Sequence, residues 1–318
     1  MIEWNLNERA QRVVDSMSAD AQAMRVRVHE LPGGARGIDC GIAARGGYGA
    51  GLAMARVCLA DLGTVAIVPG RVGGVSRPIV QVTTDHPVAA CMASQYAGWK
   101  VAVGDFFAMA SGPMRAAAGR EELFAKIDHR ERPPVAVGVL EGRAMPDAAV
   151  VDYLAEHTGV APGHLTLLVA PSASQAGTIQ VVARSVETAL HKLMELGFDL
   201  GRIESGTGTA PLPPIAANDL SALGRANDAI LYGARVTLQV RGDDSSLIEV
   251  GPSVPSSASR DHGEPFAAIF RRYNQDFYQV DPLLFSPAEI AFENLDTGRT
   301  HRFGRTNPRV LRVSFFAM

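Results

Sequence analysis

Apolar residues along this chain recur with two different periods, and the places where one gives way to the other mark its elements. Behind Asn5 and Asn7, either of which can cap, residues 6–24 carry apolar side chains at three- and four-residue steps and predict an opening helix. Residues 26–29 and 35–40 then alternate about Pro32-Gly33-Gly34, as the arms of a hairpin do. A helix is predicted over residues 52–62 and strands over 65–68 and 79–83, the strands separated by a Gly/Pro loop that carries Arg71 and Arg77. Thr84-Asp85-His86-Pro87 offers a cap and a first-turn proline for a helix over 88–97. Ser111-Gly112-Pro113 leads into Met114-Arg115, another helix start, and residues 135–140 form a further strand.

The run Leu165–Ala170, bounded by Pro171 and a Ser/Gln/Gly turn, reads as a buried strand entering a loop. Ile179, Val182, Val186, Leu190 and Leu193 follow at helical spacing, and Gly197 supplies a stop. One amphipathic helix is therefore expected, with Gln180, Arg184, Glu187, Thr188, His191 and Glu195 on its polar stripe. Beyond it, residues 205–214 read as a stiff Gly/Thr/Pro loop, Asn218-Asp219 as a helix cap, and residues 229–240 as strand-like.

Length adds that 318 residues suffice for roughly two domains, each with its own core. The charged, proline-broken run His129-Arg130-Glu131-Arg132-Pro133-Pro134 is the candidate link, dividing an N-terminal part, 1–130, from a C-terminal part, 131–318. With 32 Gly and 19 Pro the composition suits a turn-rich mixture of helix and sheet. A net charge of −3 with dispersed basic residues excludes the electrostatic footprint of a nucleic-acid binder. Cys40, Cys58 and Cys91 are odd in number and form no CxxC, so they read as reduced core thiols. The N-terminus lacks a basic head with an apolar run, and no stretch nears the ~20 apolar residues of a membrane span. A soluble, cytoplasmic protein without a membrane partner is expected.

Candidate chemistry centres on Arg184 and Glu187. Arg184 is the first Lys, Arg, Asp or Glu after Glu156, and Glu187 follows within one turn, so the two side chains can share a face. A carboxylate beside a guanidinium stays ionised, and water held between them can lose a proton to it. The same spacing also fits a helix-surface ion pair contributing ~0.2–0.5 kcal/mol. The Gly-rich stretch from Arg45 to Gly51 is no dinucleotide or phosphate loop, since no register gives GxGxxG and no Lys-Ser or Lys-Thr follows. His86 reads as a capping or packed histidine. No HExxH or paired-His spacing supports a metal.

Several short runs, taken together and in order, carry a resemblance: Ile38-Asp39-Cys40-Gly41, His86-Pro87, Ala97-Gly98-Trp99, Phe107-Ala108-Met109, Ser111-Gly112-Pro113, Leu168-Val169-Ala170-Pro171, Ala210-Pro211, Ala226-Asn227-Asp228, Pro255-Ser256-Ser257-Ala258-Ser259 and Ser286-Pro287-Ala288-Glu289. The chain resembles the methenyltetrahydromethanopterin cyclohydrolase family over nearly its whole length, with departures at Tyr96 and Arg260–Pro265 that look like a bacterial, methylotroph-type member. The resemblance implies an α+β fold of two mixed helix–sheet subdomains with an active-site cleft between them, and a homotrimer. It implies reversible hydrolysis of the methenyl pterin to its N5-formyl form in formaldehyde oxidation, with Arg184 and Glu187 holding the attacking water. No metal and no cofactor are expected, the pterin itself being the small-molecule substrate. Ser111, Gly112, Pro113, Tyr96, Ser172, Ser174, Ala210, Pro211, Ser256 and Ser257 are its expected contacts, and Arg115 and Lys100 are candidates for its anionic tail. A cyclohydrolase acting on a tetrahydrofolate derivative, or a non-catalytic carrier of a one-carbon pterin, stands as an alternative.

Overall fold

Strands and helices mix throughout the chain, as an α+β fold requires. A computed structural model describes residues 4–274, 276 and 279–316. In chain order its strands are β1 (Arg27–Glu30), β2 (Arg36–Asp39), β3 (Gly63–Val72), β4 (Val75–Thr84), β5 (Trp99–Val103) and β6 (Phe106–Ser111). They continue with β7 (Ala136–Glu141), β8 (Leu165–Ala170), β9 (Ile203–Pro211), β10 (Arg235–Val240), β11 (Glu289–Asn294) and β12 (Thr300–Gly304). Among the described residues no helix is long and apolar enough to cross a membrane.

Two units divide the chain, and both are discontinuous. One joins the residues up to Gly63 with Ala89–Gln180, and the other joins Thr64–Val88 with the chain from Val181 onward. The single cut expected between residues 130 and 131 does not separate them. The proline-broken run around His129 is a loop of the first unit, because β7 just beyond it pairs with β6, Met109 opposite Glu141. Backbone hydrogen bonding thus holds both sides of that loop in one sheet.

The first unit carries a sheet in the order β1-β2-β8-β7-β6-β5. Its β2, β8 and β7 are mutually parallel, and every residue of β8 is buried. That explains the nearly continuous apolar run of β8, interrupted only by Thr166, since a strand covered on both faces has no polar side to alternate with. On one face Val13, Val14 and Met17 of the helix Leu6–Ala19 and Met54 and Val57 of the helix Tyr48–Cys58 pack with Ile38, Val139 and Leu168. On the other, Val150, Val151 and Leu154 of the helix Ala148–Thr158 pack with Leu140, Leu167 and Val169. Cys40, Cys58 and Cys91 are buried and in no disulfide, and burial pushes the Cys40 thiol far up.

At the C-terminal end of β2 the buried Asp39 carboxylate accepts four successive backbone N–H groups, from Gly41, Ile42, Ala43 and Ala44, at 2.7–2.9 Å. One side chain therefore shapes the whole turn that leads to the Gly-rich stretch. The segment 88–97, expected to be an α-helix, is instead a π-helix over Val88–Gln95. Its wider turn is sealed by the Tyr96 N–H donating to the Cys91 carbonyl at 2.8 Å.

The second unit carries a sheet in the order β12-β11-β10-β9-β4-β3, in which β12 and β11, β10 and β9, and β9 and β4 pair antiparallel and β10 and β11 pair parallel. Residues 69–78, expected as a loop, belong to the long hairpin β3–β4. The reversal is confined to Gly73 and Gly74, both at positive φ, and Pro69 is tolerated because β3 lies at the sheet edge. Most of the stretch 205–214, expected to be a loop, belongs to strand β9, which runs to Pro211, with Gly206, Gly208 and Ala210 buried between half-exposed Ser205, Thr207 and Thr209. Asn218 caps the helix Asp219–Gly233 as expected, its side chain accepting from the Ser221 N–H at 2.9 Å. That helix takes the first part of the segment read as strand-like, and β10 takes the rest.

Two buried carboxylates make stability depend on pH in opposite senses. Burial works against ionised Asp39, but its four N–H donors outweigh burial and hold its pKa below the usual carboxylate range. Its contribution is therefore present above about pH 4 and lost as pH falls through the lowered value. Asp39→Ala should lower stability by ~2 kcal/mol at pH 7, read by denaturant unfolding, and by less in acid. Asp228 is pushed up to about 7 by burial, opposed only in part by the Ser314 hydroxyl and the Phe266 N–H. Its contribution is full below the ordinary value and declines as pH rises to 7. Asp228→Asn should therefore gain on wild type in melting temperature between pH 4 and 7, with no further gain above.

Candidate active site

The helix expected from Ile179 to Glu195 is two helices, Gln175–Val182 and Ser185–Glu195, broken at Ala183 and Arg184. At the break the Arg184 N–H donates to the Val181 carbonyl at 3.2 Å, a tightened turn, and the backbone leaves helical geometry at φ −94°, ψ 15°. The new helix begins immediately, with the Arg184 carbonyl accepting from the Thr188 N–H at 2.9 Å and from its hydroxyl at 3.1 Å. No Gly or Pro marks the interruption, and the apolar spacing runs through it, so the pattern of side chains could not disclose it.

The break changes what Arg184 and Glu187 are. Arg184 is the cap of the second helix and Glu187 lies in its first turn. Both are buried, Arg184 at 8% exposure and Glu187 at 4%. An ordinary surface ion pair is thereby excluded. Charged groups held out of water cost several kcal/mol each unless compensated, and a helix start supplies part of that compensation for the carboxylate through its positive end. Two residues of opposite charge, one turn apart in the chain, are thus both desolvated at a single helix start.

Further along the same helix lies a residue the sequence reading passed over. Lys192 is buried, its Nζ donating to the Leu283 carbonyl at 2.5 Å. Burial pulls its pKa down to about 8, while the nearby Asp281 carboxylate works against that shift. Its place between Leu190 and Leu193 was the available signal, since the helical stripe there is buried on both sides.

The expected substrate contacts fall into separate groups. In the first unit, Ser111, Gly112, Pro113 and Tyr96 gather about the π-helix. The Gly112 N–H donates to the Ser94 carbonyl at 2.9 Å, and Gly112 sits at φ +89° with the β7 backbone so close that a Cβ would crowd it. Ser111 is buried, its hydroxyl 3.5 Å from the Cys58 thiol and 3.4 Å from the Val139 carbonyl. Pro113 precedes a helix of only five residues, Met114–Ala118, and its carbonyl accepts from the Asn7 amide at 3.0 Å.

Arg115 is not available to an anionic tail. It is wholly buried, with Nη2 2.5 Å from Glu121 Oε1 and Nη1 directed at the carbonyls of Met92 and Ser94 at 3.1 and 3.3 Å. The Tyr96 and Phe124 rings flank its guanidinium at 5.0 and 5.4 Å. Tyr96 thus serves as packing for a buried cation. Lys100, by contrast, is exposed, over the ring of Phe107.

Ser172 and Ser174 stand where β7 and β8 end side by side, Glu141 opposite Ala170. The Ser172 hydroxyl donates to Glu141. Ser174 caps the helix Gln175–Val182, accepting from the Gly177 N–H at 3.0 Å while donating to the Pro171 carbonyl at 2.8 Å. In the second unit Ala210 and Pro211 are buried in β9 opposite Val80 and Ile79. Ser256 is buried and donates to the Leu231 carbonyl, whereas Ser257 is exposed. His86 is exposed, its N–H turned to the Thr84 hydroxyl at 3.0 Å. Among the described residues no three His, Cys, Asp or Glu side chains cluster as a metal site would.

Comparison with known proteins covers this whole arrangement. The family described as Cyclohydrolase (MCH) matches residues 5–315. A methenyltetrahydromethanopterin cyclohydrolase of Rhodopirellula baltica is 47% identical, covering 99% of this chain and 96% of its own. One from Methylobacterium sp. strain 4-46 is 44% identical over 98% of this chain and 97% of its own, and one from Methanosarcina barkeri is 40% identical over 98% of each. A match that spans residues 5–315, from the opening helix to beyond the buried Arg184 and Glu187, places this chain in the methenyltetrahydromethanopterin cyclohydrolase family.

Proposed function

We propose that this protein catalyses the reversible hydrolysis of 5,10-methenyltetrahydromethanopterin to the N5-formyl form, with Glu187 and Arg184 activating the water. The observation that carries the reading is the burial of these two opposite charges at one helix start, joined to the full-length likeness to cyclohydrolases. In the substrate a methenyl bridge joins two nitrogens as a delocalised cation, so its carbon is already electrophilic. The protein has chiefly to supply a positioned, partly deprotonated nucleophile, and neither a metal nor a cofactor enters the proposed steps.

Water loses one proton to Glu187 as its oxygen bonds to the bridge carbon, giving a neutral adduct. When the ring opens, the bond from that carbon to the second nitrogen breaks and the leaving nitrogen takes a proton. The adduct hydroxyl loses its own proton as it becomes the formyl C=O. One proton is released overall, as conversion of a cation and water to a neutral amide demands. Arg184 orients the carboxylate and stabilises negative charge developing on the adduct oxygen, while its charge raises the energy of the cationic ground state. Both effects lower the barrier from bound substrate.

Pterin recognition is assigned to backbone groups and small side chains of the loops. Ser111, Gly112, Pro113, Ser172, Ser174, Ala210, Pro211, Ser256, Ser257 and Tyr96 remain its candidates. The buried hydroxyls among them can serve through the backbone they hold in place. Cytoplasmic action in formaldehyde oxidation and assembly as a homotrimer belong to the same proposal and rest on the family resemblance.

Glu187→Gln should reduce kcat at least ~10²-fold with KM within threefold, read as decay of the methenyl chromophore. Arg184→Gln should lose a comparable factor, and Arg184→Lys should recover only part of it, because an ammonium lacks the planar fork of the guanidinium. Near-normal turnover by Glu187→Gln removes it as the base. Parallel assays with the methanopterin and folate carriers test the substrate, and faster turnover of the folate would overturn that assignment.

A further inference from the structure

Between Arg184 and Glu187 stand Ser185 and Val186, the residues by which the second helix rests on β9. Opposite them lie Gly206 and Gly208. A Cβ at Gly208 would overlap Ser185 Oγ and stand 3.0 Å from Val186 Cγ2 and 3.2 Å from Ser185 Cβ. One at Gly206 would stand 3.0 Å from Val186 Cγ1 and 3.1 Å from Leu238 Cδ2. Neither glycine is at positive φ, so backbone conformation does not call for it. Close approach does.

Strand pairing gives the contact its shape. Gly208 pairs with Val82 on one side and Val236 on the other, and Gly206 with Thr84 and Leu238. Two missing side chains in β9 thus leave a furrow between those of β4 and β10, and the start of the helix lies in it. Glycine within a strand sacrifices packing and raises the entropy lost on folding, so two on the same buried face mark a place where something must come near. Ser185 is wholly buried and its hydroxyl has no hydrogen-bond partner among the described groups. Fit rather than hydrogen bonding places it.

We propose that Gly208, with Ser185 as its counterpart, is a positioning residue that sets the height of the helix start above β9 and thereby the placement of Arg184 and Glu187. The inference rests on the reading that those two residues activate water. A methyl at Gly208 lifts Ser185 and carries the flanking pair with it. A misplacement approaching 1 Å costs up to ~10²-fold in rate.

The test is a cycle of variants in the full chain, assayed by decay of the methenyl substrate. Gly208→Ala should lower kcat about 10- to 100-fold with KM within threefold. Adding Ser185→Ala removes the one overlapping atom and leaves the methyl only the tight contacts with Val186 Cγ2 and the Cβ of residue 185, so the double variant should recover most of the lost kcat relative to Ser185→Ala alone. A purely structural strand glycine would give lowered stability in both backgrounds and no recovery of kcat. Should Gly208→Ala fail to fold, Ser185→Thr enlarges the same contact from the helix side and should give the same split between kcat and KM. An unchanged kcat in whichever variant folds, or a loss that Ser185→Ala leaves uncorrected, overturns the positioning role. Glu187→Gln separates the two levels: if it keeps near-normal turnover, the water-activation reading falls, whereas an inactive Glu187→Gln beside a fully active Gly208→Ala sinks only the positioning.

Discussion

Opposite charges held out of water at the first turn of a helix are the constraint on which the candidate site depends. A buried guanidinium and a buried carboxylate are each too costly to keep without compensation, and the compensation here begins with backbone geometry. Because the helix restarts at Ser185, the Glu187 carboxylate lies at the positive end of its dipole and Arg184 is the residue on which the turn closes. An unbroken helix through this region would place Glu187 in its middle, where no such end effect operates.

The supporting structure is built to hold such turns in place. In the first unit, Asp39 binds four successive N–H groups and Arg115 binds the open carbonyls left by the π-helix, so two buried charges fix two irregular stretches of backbone. In the second, the furrow in β9 receives the restarted helix. Each device uses a side chain, or its omission, to specify backbone that no regular hydrogen-bond ladder would specify.

Much of this was legible in the sequence where local chemistry decides local structure. The apolar run of β8, the Pro32-Gly33-Gly34 hairpin and the Asn218 cap came directly from residue type and spacing. The misreadings share a cause, which is that the deciding contact is distant in the chain. The Gly/Thr alternation of β9 resembles a loop until a helix is known to need the room, and Pro69 of β3 looks like a breaker until β3 is known to be an edge. The break at Arg184 leaves the apolar register intact, so periodicity passed over it. Arg184 and Glu187 themselves were singled out, but spacing could not tell a surface pair from a desolvated one; that required their burial. Arg115 shows the converse, a cation that the sequence reading offered to a substrate's anionic tail and that the fold takes inside.

The interleaving of the two units has a consequence for how the chain comes into being. On a ribosome, β3 and β4 emerge early, yet β4 must wait for β9, Val80 for Ala210, while most of the other unit is synthesised in between. Until then the hairpin presents an unsatisfied ladder edge to the cell, and loop closure over so long a segment makes the second sheet the slower to form. The unit that carries Arg184 and Glu187 therefore has to be completed last, and nascent chains stalled before β9 would be the ones in need of a chaperone.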